Sequence, residues 1–242
     1  MTESIVCQRP EGAPAQQLML LFHGFGATPH DLLPLALHLG VHFPQAFIVS
    51  VAAPEPSHVG GPNGRQWFSA IDLTEESRPA RVVAGMPAFE AAVKHWQRES
   101  GLGVAATALV GFSQGAIMAL ESTQRADVPA LAGRVIAIAG RFATLPVHPA
   151  PDTTFHLFHG KHDPVIGYRH AVEAAERLVA IGADVTADIV PFLQHEIDDD
   201  IRALIVERLQ GHVPKRLWEE AMRAGTRLGA GSPEGEDGPT RH

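Results

Sequence analysis

Ser113 lies in the string GFSQG, where Gly111 and Gly115 stand two residues before and two residues after it. An apolar run precedes the string and an apolar segment with helical spacing follows it, which predicts a sharp turn from a strand into a helix. Small residues at these two positions let the strand and the helix pack closely while the turn lifts the serine hydroxyl clear of the sheet. The unpaired N–H groups and the positive dipole end of the helix that begins at Gln114 then face any negative charge that forms beside Ser113. The pattern indicates a nucleophilic serine.

Such a serine needs a base to attack a carbonyl group, and the base needs an acid that orients it. In hydrolases with this turn the three residues follow along the chain in the order Ser, Asp or Glu, His. Asp163 comes just after an apolar strand predicted over 154–158, and Pro164 favours extended geometry at Asp163. His195 comes after the next predicted strand and before a predicted helix. The sequence therefore predicts Ser113, Asp163 and His195 as a catalytic triad.

The chain holds 14 histidines, so His195 has competitors. His38 and His95 fall within predicted amphipathic helices, whereas His195 follows a strand that is downstream of the acid. Asp152 and Asp198 remain weaker alternatives for the acid. The run 198–200 also has a structural interpretation, because carboxylates near the start of a helix offset its dipole and can cap it.

The negative oxygen of a tetrahedral intermediate requires backbone N–H donors, each of which lowers the barrier by a few kcal/mol. The residue after the nucleophile, Gln114, is expected to supply one of them. The second is expected from the glycine-rich segment 23–26, which follows an early strand, and Phe25 is our choice within it. The same segment is also compatible with a turn that has no catalytic duty.

Elements of an α/β protein are predicted around these residues. Apolar strands alternate with amphipathic helices, which is typical of a mostly parallel sheet covered on both faces. We expect one domain over 1–228, without a large lid domain, and a disordered tail over 229–242, where the sequence is polar and rich in Gly and Pro. The predicted strands are 18–22, 47–52, 107–111, 134–139, 154–158 and 185–190, with a weak edge strand at 3–8; the predicted helices are 30–40, 80–99, 114–125, 168–181, 197–210 and 214–227.

Composition excludes several classes of protein. A formal charge of −8 without a cluster of basic residues argues against nucleic acid as a partner. The apolar run at 18–22 is too short for a membrane span or a signal segment. Cys7 is the single cysteine and cannot form an internal disulfide, so we expect a cytoplasmic location. No cofactor is expected, and the partner is expected to be a small-molecule substrate, with a monomer or a homodimer as the oligomeric state.

Four residues resemble a metal-binding cluster by residue type and spacing alone: His156, His159, His162 and Asp163. A spacing of three residues in a strand directs side chains to opposite faces, so His156 and His159 are not expected to share a metal ion. No metal site is predicted, although a metal-binding protein built on these histidines stays an alternative.

The strings LFHGFGATPHDL, GFSQGAIMAL, HGKHDPVI and HEI follow one another in this order. In this respect the chain, from about residue 15 to 210, resembles the carboxylesterase/phospholipase family of α/β-hydrolases, which includes bacterial carboxylesterases and acyl-protein thioesterases. The resemblance implies Ser113, Asp163 and His195 as the triad, with N–H groups of Phe25 and Gln114 as oxyanion donors. The string GRQWFS is similar to the tryptophan-bearing loop that the family places beside its active site. The chain departs from the family at Gln194, where the family has glycine, and such a side chain could shift the loop or narrow the pocket.

The expected reaction is hydrolysis of carboxylic esters or thioesters with short to medium acyl chains. An apolar acyl pocket is predicted beside the serine. The long segment 53–79 is expected to form part of its wall. The alternative from another class is a catalytically inactive protein of the same fold that binds a ligand or a partner. The residues predicted to line the pocket are Phe25, Trp67, Leu73, Phe142 and Ile166.

Overall fold

The computed structural model describes residues 3–125 and 129–229. Their contacts divide the chain into a first unit that ends at His212 and a second unit that begins at Val213. The first unit contains nine strands and five helices longer than one turn among its described residues. In chain order these are β1 (Ile5–Gln8), β2 (Gln17–Phe22), α1 (Leu33–His42), β3 (Ala46–Val51), β4 (Glu55–Pro56), β5 (Arg65–Gln66), α2 (Arg78–Ser100), β6 (Thr107–Phe112), α3 (Gln114–Glu121), β7 (Arg134–Ile138), β8 (Thr154–Gly160), α4 (Arg169–Ala180), β9 (Asp184–Val190) and α5 (Asp199–Gly211).

Seven of these strands form one sheet in the order β1-β3-β2-β6-β7-β8-β9. All of its neighbouring pairs are parallel except β1 with β3, which is antiparallel. Alternate side chains of the central strands enter two separate apolar clusters, one on each face. Helices α2, α3 and α4 cover one face, and α1 and α5 cover the other. The predicted fold class, an α/β protein with a mostly parallel sheet covered on both faces, is confirmed.

Each of the seven predicted strands is present in this sheet, and their ends agree with the prediction to within about two residues. The helix predicted over 114–125 ends as an α-helix at Glu121 and continues as a 3₁₀ turn, Ser122–Gln124. The prediction missed the short hairpin of β4 and β5, because its two-residue strands are too short to show an alternating pattern.

The second unit contains α6 (Lys215–Gly229), which corresponds to the helix predicted over 214–227. The predicted tail over 229–242 lies, apart from Gly229, outside the described residues. The single domain over 1–228 stays a prediction. In the two described ranges, no helix has both the length and the apolar character that crossing a membrane requires.

Candidate active site

Ser113 occupies a strained turn between β6 and α3. Its backbone angles are φ 52° and ψ −114°, a region that side chains resist. Its N–H donates to the carbonyl of Ile138 on β7 at 3.0 Å, which anchors the turn to the neighbouring strand. A Cβ atom at Gly111 would lie 2.5 Å from the backbone of Ala116, and one at Gly115 would lie 2.1 Å from the carbonyl oxygen of Phe22. The two glycines are therefore required for the close contact of α3 with the sheet.

The strain at Ser113 predicts an unusual order of stabilities. We expect Ser113→Gly to have a higher free energy of unfolding than Ser113→Ala, by about 1 kcal/mol, because glycine tolerates a positive φ. Urea denaturation of the two variants measures this difference. The matched control is Ser122, whose φ of −59° suits any side chain; there the alanine variant is expected to be the more stable one. Equal stability of the two Ser113 variants would contradict the strain.

A hydrogen-bonded chain joins the three residues predicted as a triad. His195 Nε2 lies 2.9 Å from Ser113 Oγ, and His195 Nδ1 lies 2.7 Å from Asp163 Oδ2. An ionised carboxylate only accepts hydrogen bonds, so Nδ1 carries the proton and Nε2 is left as the acceptor for the serine hydroxyl. The three residues follow the carboxyl ends of β6, β8 and β9, which lie at one edge of the parallel sheet.

Asp163 is held as a carboxylate although its side chain is fully buried. Burial by itself would raise its pKa, but the hydrogen bond from His195 and two backbone hydrogen bonds outweigh this cost and lower the pKa. Oδ1 accepts from the N–H groups of Val165 at 2.8 Å and Ile166 at 2.9 Å. The other oxygen is thereby left to face His195.

A second histidine, which the sequence did not single out for this place, also contacts Asp163. His159 Nε2 lies 3.1 Å from Asp163 Oδ2 and 2.7 Å from the carbonyl oxygen of Ile166. Burial lowers the pKa of His159, so the ring is neutral and its Nε2–H donates toward these two oxygens. It stands four residues before Asp163, near the end of β8, and its hydrogen bonds stabilise the Asp163 loop.

The loop after β2 lies directly against Ser113. A Cβ atom at Gly24 would lie 3.2 Å from Ser113 Cβ, closer than most carbon contacts, so a larger residue there would push against the serine. Gly26 donates to the carbonyl of Arg65 at 2.9 Å, and Arg65 N–H donates to the carbonyl of Ala27 at 3.0 Å. Immediately before Gly26, the N–H of Phe25 has no acceptor among the described residues. A donor without a partner beside the serine fits the predicted oxyanion role.

Side chains beneath this loop fix its position. Trp67 Nε1 donates to the carbonyl of His23 at 3.0 Å, and the buried His23 ring accepts from the N–H of Ala53 at 3.2 Å. The side chain of Gln114 accepts from Trp67 N–H at 2.7 Å and donates to the carbonyl of Phe68 at 2.8 Å. The sequence pointed to Gln114 for its backbone N–H alone, but its amide also joins the helix start to the segment 53–79.

A cleft of about 360 Å³ opens at Ser113. Phe25, Leu73 and Ile166 line it, as do several residues of the segment predicted to form its wall. Two other predicted wall residues do not: Trp67 is only 1% exposed and packs against Phe22 and Phe89, and Phe142 is buried in the same core. For both, the reason is that a large apolar ring gains more from complete burial than from a place in an open cleft.

Gln194, the departure from the family pattern, is accommodated without strain in its own backbone. Its side chain is exposed, and the positive φ in this loop is carried by Phe192, at 64°. The backbone of this loop instead lies close to Gly160, the last residue of β8. A Cβ atom at Gly160 would lie 2.4 Å from the carbonyl oxygen of Leu193. Gln194 does not line the cleft at Ser113.

The histidines considered as a metal cluster are dispersed. His156 Nδ1 bonds Thr186 Oγ1 at 2.8 Å, whereas His159 faces Asp163 and His162 contacts the ring of Phe192. His156 and His159 thus lie on opposite faces of β8, as the three-residue spacing predicts. In the described part of the chain, no three His, Cys, Asp or Glu side chains are grouped so that they could hold a metal ion.

His156 makes the stability of the fold sensitive to acid. Burial, followed by the charge of Arg134, lowers its pKa from 6.5 to about 3. Between these values the unfolded chain binds a proton that the folded protein excludes, so the free energy of unfolding falls as the pH drops, by at most about 1.4 kcal/mol per pH unit. Denaturation between pH 7 and pH 4, in roughly one-unit steps, measures the slope. The slope is expected to decrease in His156→Asn and to persist in His148→Gln, whose side chain is exposed; the same slope in both would contradict this account.

The fold and the site together define a class of protein. A mostly parallel sheet with helices on both faces, a strained serine at a strand-to-helix turn, and an acid and a histidine after later strands are the features of an α/β-hydrolase. The chain belongs to one family in this class: the profile of the Phospholipase/Carboxylesterase family matches residues 2–212.

Known proteins agree with this assignment. The chain is 48% identical over 223 residues to Esterase YpfH from Escherichia coli (strain K12). This alignment covers 92% of this chain and 94% of that protein. The crystal structure of esterase PE8 superposes with a TM-score of 0.74 at 28% identity, over 88% of this chain and 98% of the other. A carboxylesterase from Mesorhizobium loti shares the fold, with a TM-score of 0.69 at 22% identity over 83% of this chain and 91% of the other.

Proposed function

We propose that this protein is a serine esterase that hydrolyses carboxylic esters through an acyl-enzyme intermediate. The observation that carries the proposal is the continuous hydrogen-bonded chain from Ser113 Oγ through the His195 ring to the buried Asp163 carboxylate. Membership of the Phospholipase/Carboxylesterase family and similarity to proteins named as esterases support the same chemistry.

The proposed reaction has two halves. Ser113 Oγ attacks the carbonyl carbon while His195 Nε2 takes the hydroxyl proton, and Asp163 stabilises the resulting imidazolium. The carbonyl π electrons move to the oxygen, which accepts hydrogen bonds from the N–H groups of Phe25 and Gln114. The tetrahedral intermediate expels the alcohol, which takes the proton from Nε2. Water then attacks the acyl-enzyme by the same route, and the acid is released with Ser113 restored.

The size of the site supports small substrates. The cleft at Ser113 has a volume of about 360 Å³, and a second cavity of about 300 Å³ is lined by His195 with Gly24 and Phe112. We therefore propose short to medium acyl chains, and the same attack on a carbonyl extends to thioesters. An inactive protein that only binds a ligand would not need a strained serine with its histidine in hydrogen-bond contact.

The test is hydrolysis of p-nitrophenyl acetate, butyrate, octanoate and palmitate by the purified chain, with the matching acyl thioesters in parallel. We expect the highest kcat/KM with butyrate or octanoate, little activity with palmitate, and activity in both the ester and thioester series. Folded protein that hydrolyses none of them would contradict the proposal. The expected cytoplasmic location, and a monomer or homodimer as the oligomeric state, stay predictions from the sequence.

A further inference from the structure

One end of the cleft at Ser113 is formed by two arginines. Arg78, the first residue of α2, and Arg141, just after β7, both line the cleft, together with Glu75 and His170. Glu75 bridges the two guanidinium groups: its Oε1 lies 2.8 Å from Arg78 Nη2 and its Oε2 lies 2.8 Å from Arg141 Nη2. Ser113 and these two cations thus line one cavity.

Charge in this part of the cleft is not balanced. Two guanidinium groups face one carboxylate, which leaves one positive charge among the titratable groups that line the cleft. His170 does not add a charge at neutral pH, because burial and then the charge of Arg141 lower its pKa. A local excess of positive charge is notable in a chain whose formal charge is −8.

Arg141 is held in place independently of Glu75, and neither arginine uses all of its donors in the described contacts. Arg141 donates from Nε to the carbonyl of Phe142 at 3.1 Å, and its Nη1 lies 3.1 Å from His170 Nε2, so the guanidinium group is oriented before any ligand arrives. Arg78 bonds Glu75 through Nη2, and its Nε is buried without a partner among the described residues, out of reach of a ligand. A guanidinium group carries five N–H donors, so both arginines keep further Nη donors that suit a second carboxylate.

Glu75 differs from its two partners in exposure. Its side chain is 66% exposed, whereas the side chains of Arg78 and Arg141 are 17% and 14% exposed. The carboxylate is therefore the solvent-accessible member of this cluster. An incoming anion that pairs with both guanidinium groups would restore the ion pairs that displacement of Glu75 breaks.

We propose that the arginine pair Arg78–Arg141 binds a carboxylate of the substrate, so that the esters this protein prefers carry a free carboxylate on the part that occupies the cleft. The inference rests on the proposed function, because it places the anion beside Ser113. Two sources share this chemistry: monoesters of dicarboxylic acids, with the carboxylate on the acyl part, and esters of hydroxy acids, with the carboxylate on the alcohol part.

Two pairs of substrates distinguish these sources. For the acyl part, kcat/KM for methyl hydrogen glutarate is compared with that for methyl 4-carbamoylbutanoate, its neutral amide of the same shape. For the alcohol part, acetoxyacetate is compared with acetoxyacetamide, and a pH-stat follows acid release in all cases. We expect the wild-type protein to prefer the acid over the amide in one pair by about tenfold or more, the ratio that one charge-assisted hydrogen bond provides.

Three substitutions separate binding of the anion from a structural role. Arg78→Gln and Arg141→Gln are expected to lower the acid-to-amide ratio toward one, whereas Glu75→Gln is expected to raise it, because it removes the competing carboxylate. The control is Arg98→Gln, at an exposed position in the last turn of α2 and outside the cleft, which should leave the ratio unchanged. If the cluster were only structural, the Glu75 and arginine variants would change the ratio in the same direction or not at all.

Ligand binding to a variant that lacks the Ser113 hydroxyl tests this inference independently of the proposed function. Calorimetry with the Ser113→Ala variant is expected to show glutarate binding at least about tenfold more tightly than glutaramide, and the difference should be lost when Arg141→Gln is added. A protein that binds glutarate in this way but hydrolyses no ester would contradict esterase function alone. Equal binding of the two compounds, or a ratio near one in both substrate pairs, would overturn the anion site.

Discussion

Replacing Ser113 with alanine is expected to lower kcat for ester hydrolysis by about 10⁵- to 10⁶-fold, the loss seen when a catalytic serine of this kind is removed. The reason is that the proposed acyl-enzyme cannot form without Oγ, while the cleft and the proposed oxyanion donors remain. Rates of the purified variant with p-nitrophenyl butyrate, against the rate in buffer alone, measure the effect.

The matched control for this substitution is Ser100→Ala. Ser100 ends α2 and does not line the cleft at Ser113, so its variant should keep the wild-type rate. Circular dichroism should show that both variants are folded. Activity of Ser113→Ala within tenfold of the wild type would mean that another group attacks the ester.

Asp163→Asn is expected to lower kcat by roughly 10²- to 10⁴-fold with folding intact. The asparagine amide would donate to Nδ1 of His195, so the ring would carry its proton on Nε2 and could no longer accept the proton of Ser113. The backbone N–H groups of Val165 and Ile166 would still have an amide oxygen to bond. Steady-state kinetics measure the loss of kcat, and a thermal denaturation curve shows whether the variant is folded.

The weaker alternatives for the acid supply the controls. Asp152→Asn should leave kcat near the wild-type value. Asp198 accepts a hydrogen bond from Ile201 N–H at 2.9 Å and caps α5, so Asp198→Ala is expected to cost about 1 kcal/mol of stability rather than catalysis. A near-normal rate for Asp163→Asn together with a large loss in either control would show that the acid had been assigned to the wrong residue.

The sheet was predictable because its strands are short apolar runs that alternate with amphipathic helices, a pattern typical of a buried parallel sheet. The same pattern predicted that Ser113, Asp163 and His195 lie close together, since each comes after the carboxyl end of a strand. The distances between them depend on loop conformation and were accessible only from the structure. The positive φ at Phe192 illustrates this, because nothing in the local sequence indicates it.

The pocket was predicted less well, for a physical reason. Apolar residues near the site were assigned to its wall, but apolarity does not distinguish a wall from the core beneath it. Trp67 satisfies its indole N–H on the carbonyl of His23 and is buried, whereas Phe25 and Ile166 remain in the cleft. Whether a ring is covered depends on neighbours that are distant in sequence.

The arginine pair was missed because its members are far apart in the chain. Arg78 begins a helix and Arg141 follows a strand, and each has an ordinary explanation as a surface cation when taken alone. A signal was nevertheless present for Arg141, which comes just after β7 at the same edge of the sheet as Ser113. Charged residues that follow parallel strands merit the same attention as the acid and the histidine.

The most direct test of the account is labelling of the intact protein with a fluorophosphonate, followed by mass mapping of the modified peptide. Such a probe reacts with a serine only when a base activates it. We predict one phosphonate on Ser113, lost in Ser113→Ala and strongly slowed in His195→Ala, and unchanged in Ser100→Ala. Folded wild-type protein that takes up no label, or takes it up at a different residue, would contradict the assignment of Ser113 as the nucleophile.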